Sequence, residues 1–185
     1  MTLGSSFPQI LAAAQAGGEW AWTELYRAMA PTVFGYLRSR GAADPEDLLG
    51  EVFLQVVRDV ASFSGGERDF RAWALTIAHH RLLDDVRYRA RRPADPAAEE
   101  LLVAAGPAGD AETDALTGLE VNRLRRALSG LSPDQQDVLM LRLFGELTID
   151  EVAGIVGKRP GAVKALQRRG LAALKKILSS LAVTL

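Results

Sequence analysis

The sequence contains no cysteine. Disulfides and thiolate metal sites are therefore excluded. Histidine is scarce as well, with two residues in the chain. No apolar run is long enough to span a bilayer, so membrane insertion is not expected. The start, MTLGSSFPQI, lacks the basic opening and apolar stretch of a signal peptide, and the chain reads as cytoplasmic. There is no excess of one charge: 22 Lys+Arg stand against 23 Asp+Glu, a formal net charge of −1. Overall charge thus gives no hint of nucleic-acid binding, and any such reading must rest on where the charges sit. No convincing run of alternating β-branched residues is present, so no sheet is expected.

What remains is helical period almost throughout. The hydrophobic fraction of 48% argues against global disorder. A chain of 185 residues can be one domain or two small ones. The break lies at Pro93–Ala115, rich in Ala, Pro and Gly. It carries Asp95, Glu99, Glu100, Asp110, Glu112 and Asp114 and no base. That is the composition of a flexible acidic linker, or of a passive solvated tether. The expected fold is all-α, with two small helical domains over residues 5–92 and 116–182 joined by the linker at 93–115. A linker of this kind lets two domains move relative to one another in solution.

The first domain begins with a short amphipathic segment over Phe7–Ala16. A longer one follows over Glu19–Arg40, with Pro31 expected to bend or break it. In DPEDLLGEVFLQVVRDV, Asp44 suits an N-cap and Pro45 the first helical position. Glu46 and Asp47 suit the positive end of the helix dipole. Leu48, Leu49, Val52, Phe53, Val56, Val57 and Val60 form one broad apolar face. Leu54 sits among Asp47, Glu51 and Arg58 on the opposite face. It is either an incidental exposed leucine or an anchor for a partner helix.

After SFSGGERD comes a helix over about Asp69–Arg91, with two stripes. Leu75, Ala78, Leu82, Leu83 and Val86 make the expected core contact. Phe70, Trp73, Ile77, His80, Asp84, Arg87, Tyr88 and Arg91 make the other. Aromatics interleaved with cations suit a single strand of nucleic acid, because bases stack on rings and phosphates pair with Arg. Large aromatics are also mostly buried, and Phe70 and Trp73 read equally as core.

The second domain opens over Leu116–Leu128. Ser132, Pro133 and Gln135 make a capping signal, and Thr148 with Glu151 makes another. Val152, Ile155 and Val156 pack inward, Gly157 ends that helix and Pro160 opens the next. The following stretch holds Lys158, Arg159, Lys164, Arg168, Arg169, Lys175 and Lys176 and no acid. This is a helix–turn–helix pattern. Val163, Leu166, Gly170, Leu174, Ile177 and Leu181 form an inward stripe. Gly161, Lys164, Ala165, Arg168, Arg169 and Ala172 lie opposite. Small residues flanked by cations allow close approach to a major groove, where Arg reads guanine and Lys holds phosphate. The bland alternative is a solvated basic face on a terminal helix.

The order DPEDLLGEVFLQVVRDV, FRAWALTIAHHRLLDDVR and LSPDQQDVLMLRLFGELTIDEVAGIVGKRPGAVKALQRRGLAAL resembles the extracytoplasmic-function (ECF) sigma factors of the sigma-70 family. The resemblance covers about Phe7 to Leu178. It implies a sigma region 2 domain, a linker and a region 4 helix–turn–helix domain. It implies core RNA polymerase and promoter DNA as partners, with no cofactor, metal or small-molecule substrate. Asp47, Glu51, Leu54, Gln55 and Arg58 would dock on the clamp helices of the largest polymerase subunit. Phe63, Ser64, Trp73, Ile77, His79, His80, Asp84, Arg87 and Arg91 would read and melt the −10 element, with loop Phe63–Gly66 capturing an extruded base. Lys158, Arg159, Gly161, Lys164, Ala165, Arg168 and Arg169 would contact the −35 element. The acidic linker would thread towards the RNA exit path. The family often has Asn where His80 stands and Arg or Lys where His79 stands. Its members are commonly held inactive by an anti-sigma factor, so such a partner is implied, and a partner or polymerase would fix the two domains.

Two rival readings differ in class. A helix–turn–helix repressor or activator would explain Lys158–Lys176 and leave Leu54 and the Trp73 stripe without a purpose. A metal-dependent phosphohydrolase would use His79, His80, Asp84 and Asp85, yet on one helix those four spread over both stripes.

Overall fold

The computed structural model describes residues 2–91 and 127–183, all helices, turns and loops with no strand among them. The linker expected over 93–115, and most of the segment expected to open the second domain, lie outside the described residues. The elements are α1 (Phe7–Gln15), α2 (Glu19–Ser39), α3 (Pro45–Asp59), α4 (Glu67–Arg91), α5 (Pro133–Phe144), α6 (Ile149–Val156) and α7 (Pro160–Val183). Short 3-10 turns at Gly4–Ser6 and Val60–Ser62 precede α1 and follow α3.

Local chemistry sets the helix ends. The Asp44 carboxylate accepts from the Asp47 amide at 2.8 Å, with Pro45 in the first turn, and starts α3. Ser132 and Gln135 cap α5 reciprocally, and Thr148 and Glu151 do the same for α6. Each such cap stabilises its helix by about 1 kcal/mol. Gly157, at φ 63°, ends α6 in the left-handed conformation that side chains disfavour, and turns the chain into α7.

Pro31 does not break α2, which runs through it as one helix. The missing hydrogen bond and ring clash cost about 3 kcal/mol. Burial of Leu25, Ala28, Met29, Val33, Tyr36 and Leu37 along the same helix offsets that cost. The apolar faces read from the sequence are too broad at their margins. Val57 on α3 and Val86 on α4 are exposed, while Leu49, Val52, Phe53, Val56, Leu75, Ala78 and Leu82 are buried as expected. Periodicity places a residue on a face but does not say where the neighbouring helix ends.

The buried apolar side chains of the two helical units form one continuous cluster, from Phe7 to Leu166. Helix α2 packs on α5, and α4 packs on α6. Gly35 lets α2 approach α5 closely: a Cβ there would lie 2.9 Å from the Phe144 ring.

Candidate nucleic-acid interface

Helix α7 follows the Gly157 turn with Val163 and Leu166 buried against the unit. That seating turns Arg159, Gly161, Lys164, Arg168 and Arg169 to solvent, with Ala165 half-buried at the margin. The Arg169 Nε donates to the Ala165 carbonyl at 3.3 Å, which folds the guanidinium back over the helix. Lys158 stands apart from this group. Its Nζ lies 2.9 Å from the Asp134 carboxylate at the start of α5, so its charge is already partnered within the protein. An exposed arginine fork beside glycine and alanine can reach base edges in a major groove.

The loop before α4 is held from both sides. Gln15 Nε2 donates to the carbonyls of Val60 and Phe63, at 2.9 Å each. The Gly66 amide donates to Asp69 at 2.8 Å. Phe63 lies half-buried and stacks on Trp73, with ring centroids 5.1 Å apart and an interplanar angle of 27°. Phe70 meets both rings edge-on, at 5.3 and 5.5 Å. The two alternatives left open by spacing therefore separate: Phe70 is core, and Trp73 is half-buried at the rim of an aromatic cluster. Ser64 is exposed beside it.

Along the rest of α4 the expected stripe divides. His80, Asp84, Arg87 and Arg91 are exposed, with Arg87 paired to Asp84 at 3.1 Å. Ile77 and His79, by contrast, are buried and do not present a surface to DNA in this structure. The reason is that α4 is packed on several sides, by α2, α3 and α6, so its buried sector is wider than one stripe. His79 and His80 thus point to different environments, and Asp85 pairs with Arg89 at 2.9 Å rather than with either.

His79 belongs to a polar cluster that the sequence did not reveal. Its Nδ1 lies 2.7 Å from the Tyr36 hydroxyl, which lies 3.1 Å from Asp137 Oδ1. Arg40 Nε donates to the same oxygen at 2.6 Å, and Arg40 also reaches the Gln136 side chain. A phenol has one proton to give. Asp137, held by Arg40, accepts it, so His79 Nδ1–H donates to Tyr36. Burial, then the charge of Asp137, pushes the Tyr36 phenol far above its usual range. Burial pulls His79 below the ordinary imidazole value; Asp137 opposes that, while His80 and Arg40 add to it. The hint available was an aspartate inside the apolar run of α5. Its partners stand 97 and 101 residues away, beyond any periodic signal.

On α3, Leu54 is 66% exposed, the most exposed large apolar side chain among the described residues. Asp47, Glu51 and Arg58 are exposed around it. Gln55 is half-buried and accepts two hydrogen bonds from Arg81 of α4, at 2.9 and 3.1 Å, and so braces the two helices.

No described helix is long and apolar enough to cross a membrane. Family models for Sigma-70 region 2 and for Sigma-70, region 4 match residues 25–92 and 122–174. RNA polymerase sigma factor CarQ of Myxococcus xanthus is 31% identical over 89% of this chain and 93% of its own length. ECF RNA polymerase sigma factor SigD of Mycobacterium tuberculosis is 30% identical, over 93% and 84%. ECF RNA polymerase sigma factor BldN of Streptomyces coelicolor is 34% identical over 92% of this chain, which spans 65% of BldN's length. Among solved structures, CnrH in complex with the cytosolic domain of CnrY aligns with a TM-score of 0.69 at 22% identity, over 95% of this chain and 99% of that one. The sigma factor RpoE in complex with the anti-sigma factor NepR, from Bartonella quintana, aligns with a TM-score of 0.67 at 20% identity, over 85% and 96%. At these identities the likeness to the solved structures is one of fold.

Proposed function

This chain belongs to the extracytoplasmic-function group of RNA polymerase sigma factors, and we propose that its two helical units divide promoter recognition between them. The α3 face centred on Leu54, with Asp47, Glu51, Gln55 and Arg58, docks on the clamp helices of core polymerase. The loop from Phe63 and the exposed side of α4, with Ser64, Trp73, His80, Asp84, Arg87 and Arg91, takes up bases of the −10 element as the strands part. Stacking on Trp73 offsets the cost of unpairing. Helix α7 reads the −35 duplex through Arg159, Gly161, Lys164, Ala165, Arg168 and Arg169. Lys158 contributes less, because Asp134 already holds it.

The observation that carries this reading is an aromatic rim on α4 and an exposed cationic helix behind a Gly157 turn in one chain. One suits single-stranded bases and the other suits duplex. Neither needs a catalytic group, and the protein acts as an initiation factor without enzymatic activity, in the cytoplasm with its polymerase. An anti-sigma partner, of the kind bound to RpoE, controls it by covering the α3 face. Run-off transcription with purified core polymerase over a genomic fragment library tests the proposal. Promoter-dependent transcripts that require this protein are expected. Absence of both initiation and core binding, with duplex binding retained, would return the chain to the repressor reading.

A further inference from the structure

Taking Phe63–Gly66 as the loop that receives an extruded −10 base, we infer that Gln15, on α1, is the positioning residue that holds this loop in its receiving shape. The inference rests on the −10 reading above and adds to it an element, α1, with no part in recognition so far.

The loop has little of its own to hold it. Ser64, Gly65 and Gly66 are exposed, and adjacent glycines leave the backbone wide freedom that must be lost before a base can be gripped. Its entry is fixed from α1 instead. The Gln15 side-chain amide nitrogen has two hydrogens, and it donates to the carbonyls of Val60 and Phe63, at 2.9 Å each. These carbonyls stand at the start of the Val60–Ser62 turn and just beyond its end. The Val60 carbonyl also accepts from the Phe63 amide at 3.0 Å, so one side chain ties together both ends of the turn. The same N-terminal segment holds the far side of the loop. The amides of Leu3 and Gly4 donate to the Glu67 carboxylate, in the first turn of α4, at 2.9 and 2.8 Å. The Phe7 ring meets Phe70 at 5.7 Å, beneath the aromatic rim.

The consequence falls on Phe63. Its carbonyl is held by Gln15 while its ring stacks on Trp73, and Ser64 follows directly. A hydrogen bond from an exposed glutamine is by itself ordinary. Here both hydrogens converge on one turn, 45 and 48 positions along the chain, and that turn leads into the platform. A base arriving at a loop already in place does not pay for ordering it. Gln15 thus acts through Phe63 and needs no contact with DNA. Removing its donors should lower base capture by about tenfold, the loss expected of one or two ordinary hydrogen bonds.

The experiment uses holoenzyme made from core polymerase and the full chain. The probe is a promoter from the run-off selection, with 2-aminopurine placed at each −10 position in turn. Gln15→Met keeps a straight, helix-compatible side chain and removes both donors. It should slow the fluorescence rise of the extruded base by about tenfold. Closed-complex affinity should stay within about twofold, on the order of a neutral substitution. Gln15→Lys, whose ammonium has three donors and a longer reach, should restore the rate to within about threefold of wild type. Melting curves of the free chain should give similar midpoints for all three proteins. A wild-type rate in Gln15→Met overturns the inference. Equal slowing in Gln15→Met and Gln15→Lys overturns the role of the donors. Slowing accompanied by an equal loss of closed-complex affinity, or by a clear fall in midpoint, reduces Gln15 to a structural tie and overturns the positioning role. If the wild type shows no fluorescence rise at any −10 position, the −10 reading itself fails, and this role falls with it.

Discussion

Phe63 covers one face of Trp73, with centroids 5.1 Å apart. A stacked pair at a surface rim is a preformed platform, and a base that joins it continues the stack. Trp73→Ala should therefore lower the rate of open-complex formation by about 10- to 100-fold, in keeping with about 1–3 kcal/mol per stacked base. Binding to a closed −35 duplex should change less than twofold, on the order of a neutral substitution. Fluorescence of 2-aminopurine in the −10 element, set against duplex binding, separates the two effects.

Arg168 and Lys158 differ in what already holds them. Arg168→Ala should weaken −35 binding by about 1–3 kcal/mol and relax discrimination at one position. Lys158→Ala should cost less, because Asp134 is its partner at 2.9 Å. A titration of duplex binding against salt should show a slope reduced by about 1 for a lost phosphate contact such as Lys164→Ala.

Leu54 contributes almost nothing to the core of the fold, being 66% exposed. Leu54→Ala should leave the thermal midpoint unchanged and weaken core-polymerase binding by about tenfold, as loss of a modest interface anchor does. Matched melting curves and core-binding titrations would show this. A fall in midpoint would mark the residue as structural.

Burial, opposed by Asp137 and aided by His80 and Arg40, holds His79 below the ordinary imidazole value of 6.5. As pH falls through that value the unfolded chain takes up a proton that the folded chain refuses. Stability is therefore complete above 6.5 and is lost as pH falls towards the folded value. Urea midpoints should drop between about pH 7.5 and about pH 5.5, and His79→Asn should flatten the slope. Glu151 titrates lower. Burial pushes its carboxyl up, but hydrogen bonds from Thr148 and Arg68 outweigh that and hold it below 4.5, outside this window. Tyr36→Phe should cost about 1–3 kcal/mol at neutral pH, because His79 and Asp137 each lose a buried partner.

Much of the architecture could be read from residues close in sequence. Ser132 with Gln135, Thr148 with Glu151, Asp44 with Pro45, and Gly157 are local devices, and each does locally what its residue types favour. The exposed side of α7 followed from the same logic, since Val163 and Leu166 fix its rotation. What was not legible depends on partners far along the chain. His79 resembles a surface residue beside His80 until Tyr36, 43 positions away, is known to receive it. The packing of the two units was hidden for a similar reason: linker composition describes a tether and says nothing of Arg40 meeting Asp137. Val57 and Val86 show the opposite error, apolar residues that continue a helical stripe past the edge of the helix it packs on.

The bare backbone at position 35 has a consequence of its own. The smallest side chain there would stand 2.9 Å from the Phe144 ring, too near for both to stay in place. One added methyl group would act as a wedge between α2 and α5, driven in at the seam rather than at any contact with DNA or polymerase. Among natural variants of this chain, position 35 is therefore where a change far from every recognition surface would alter how readily the two halves come together.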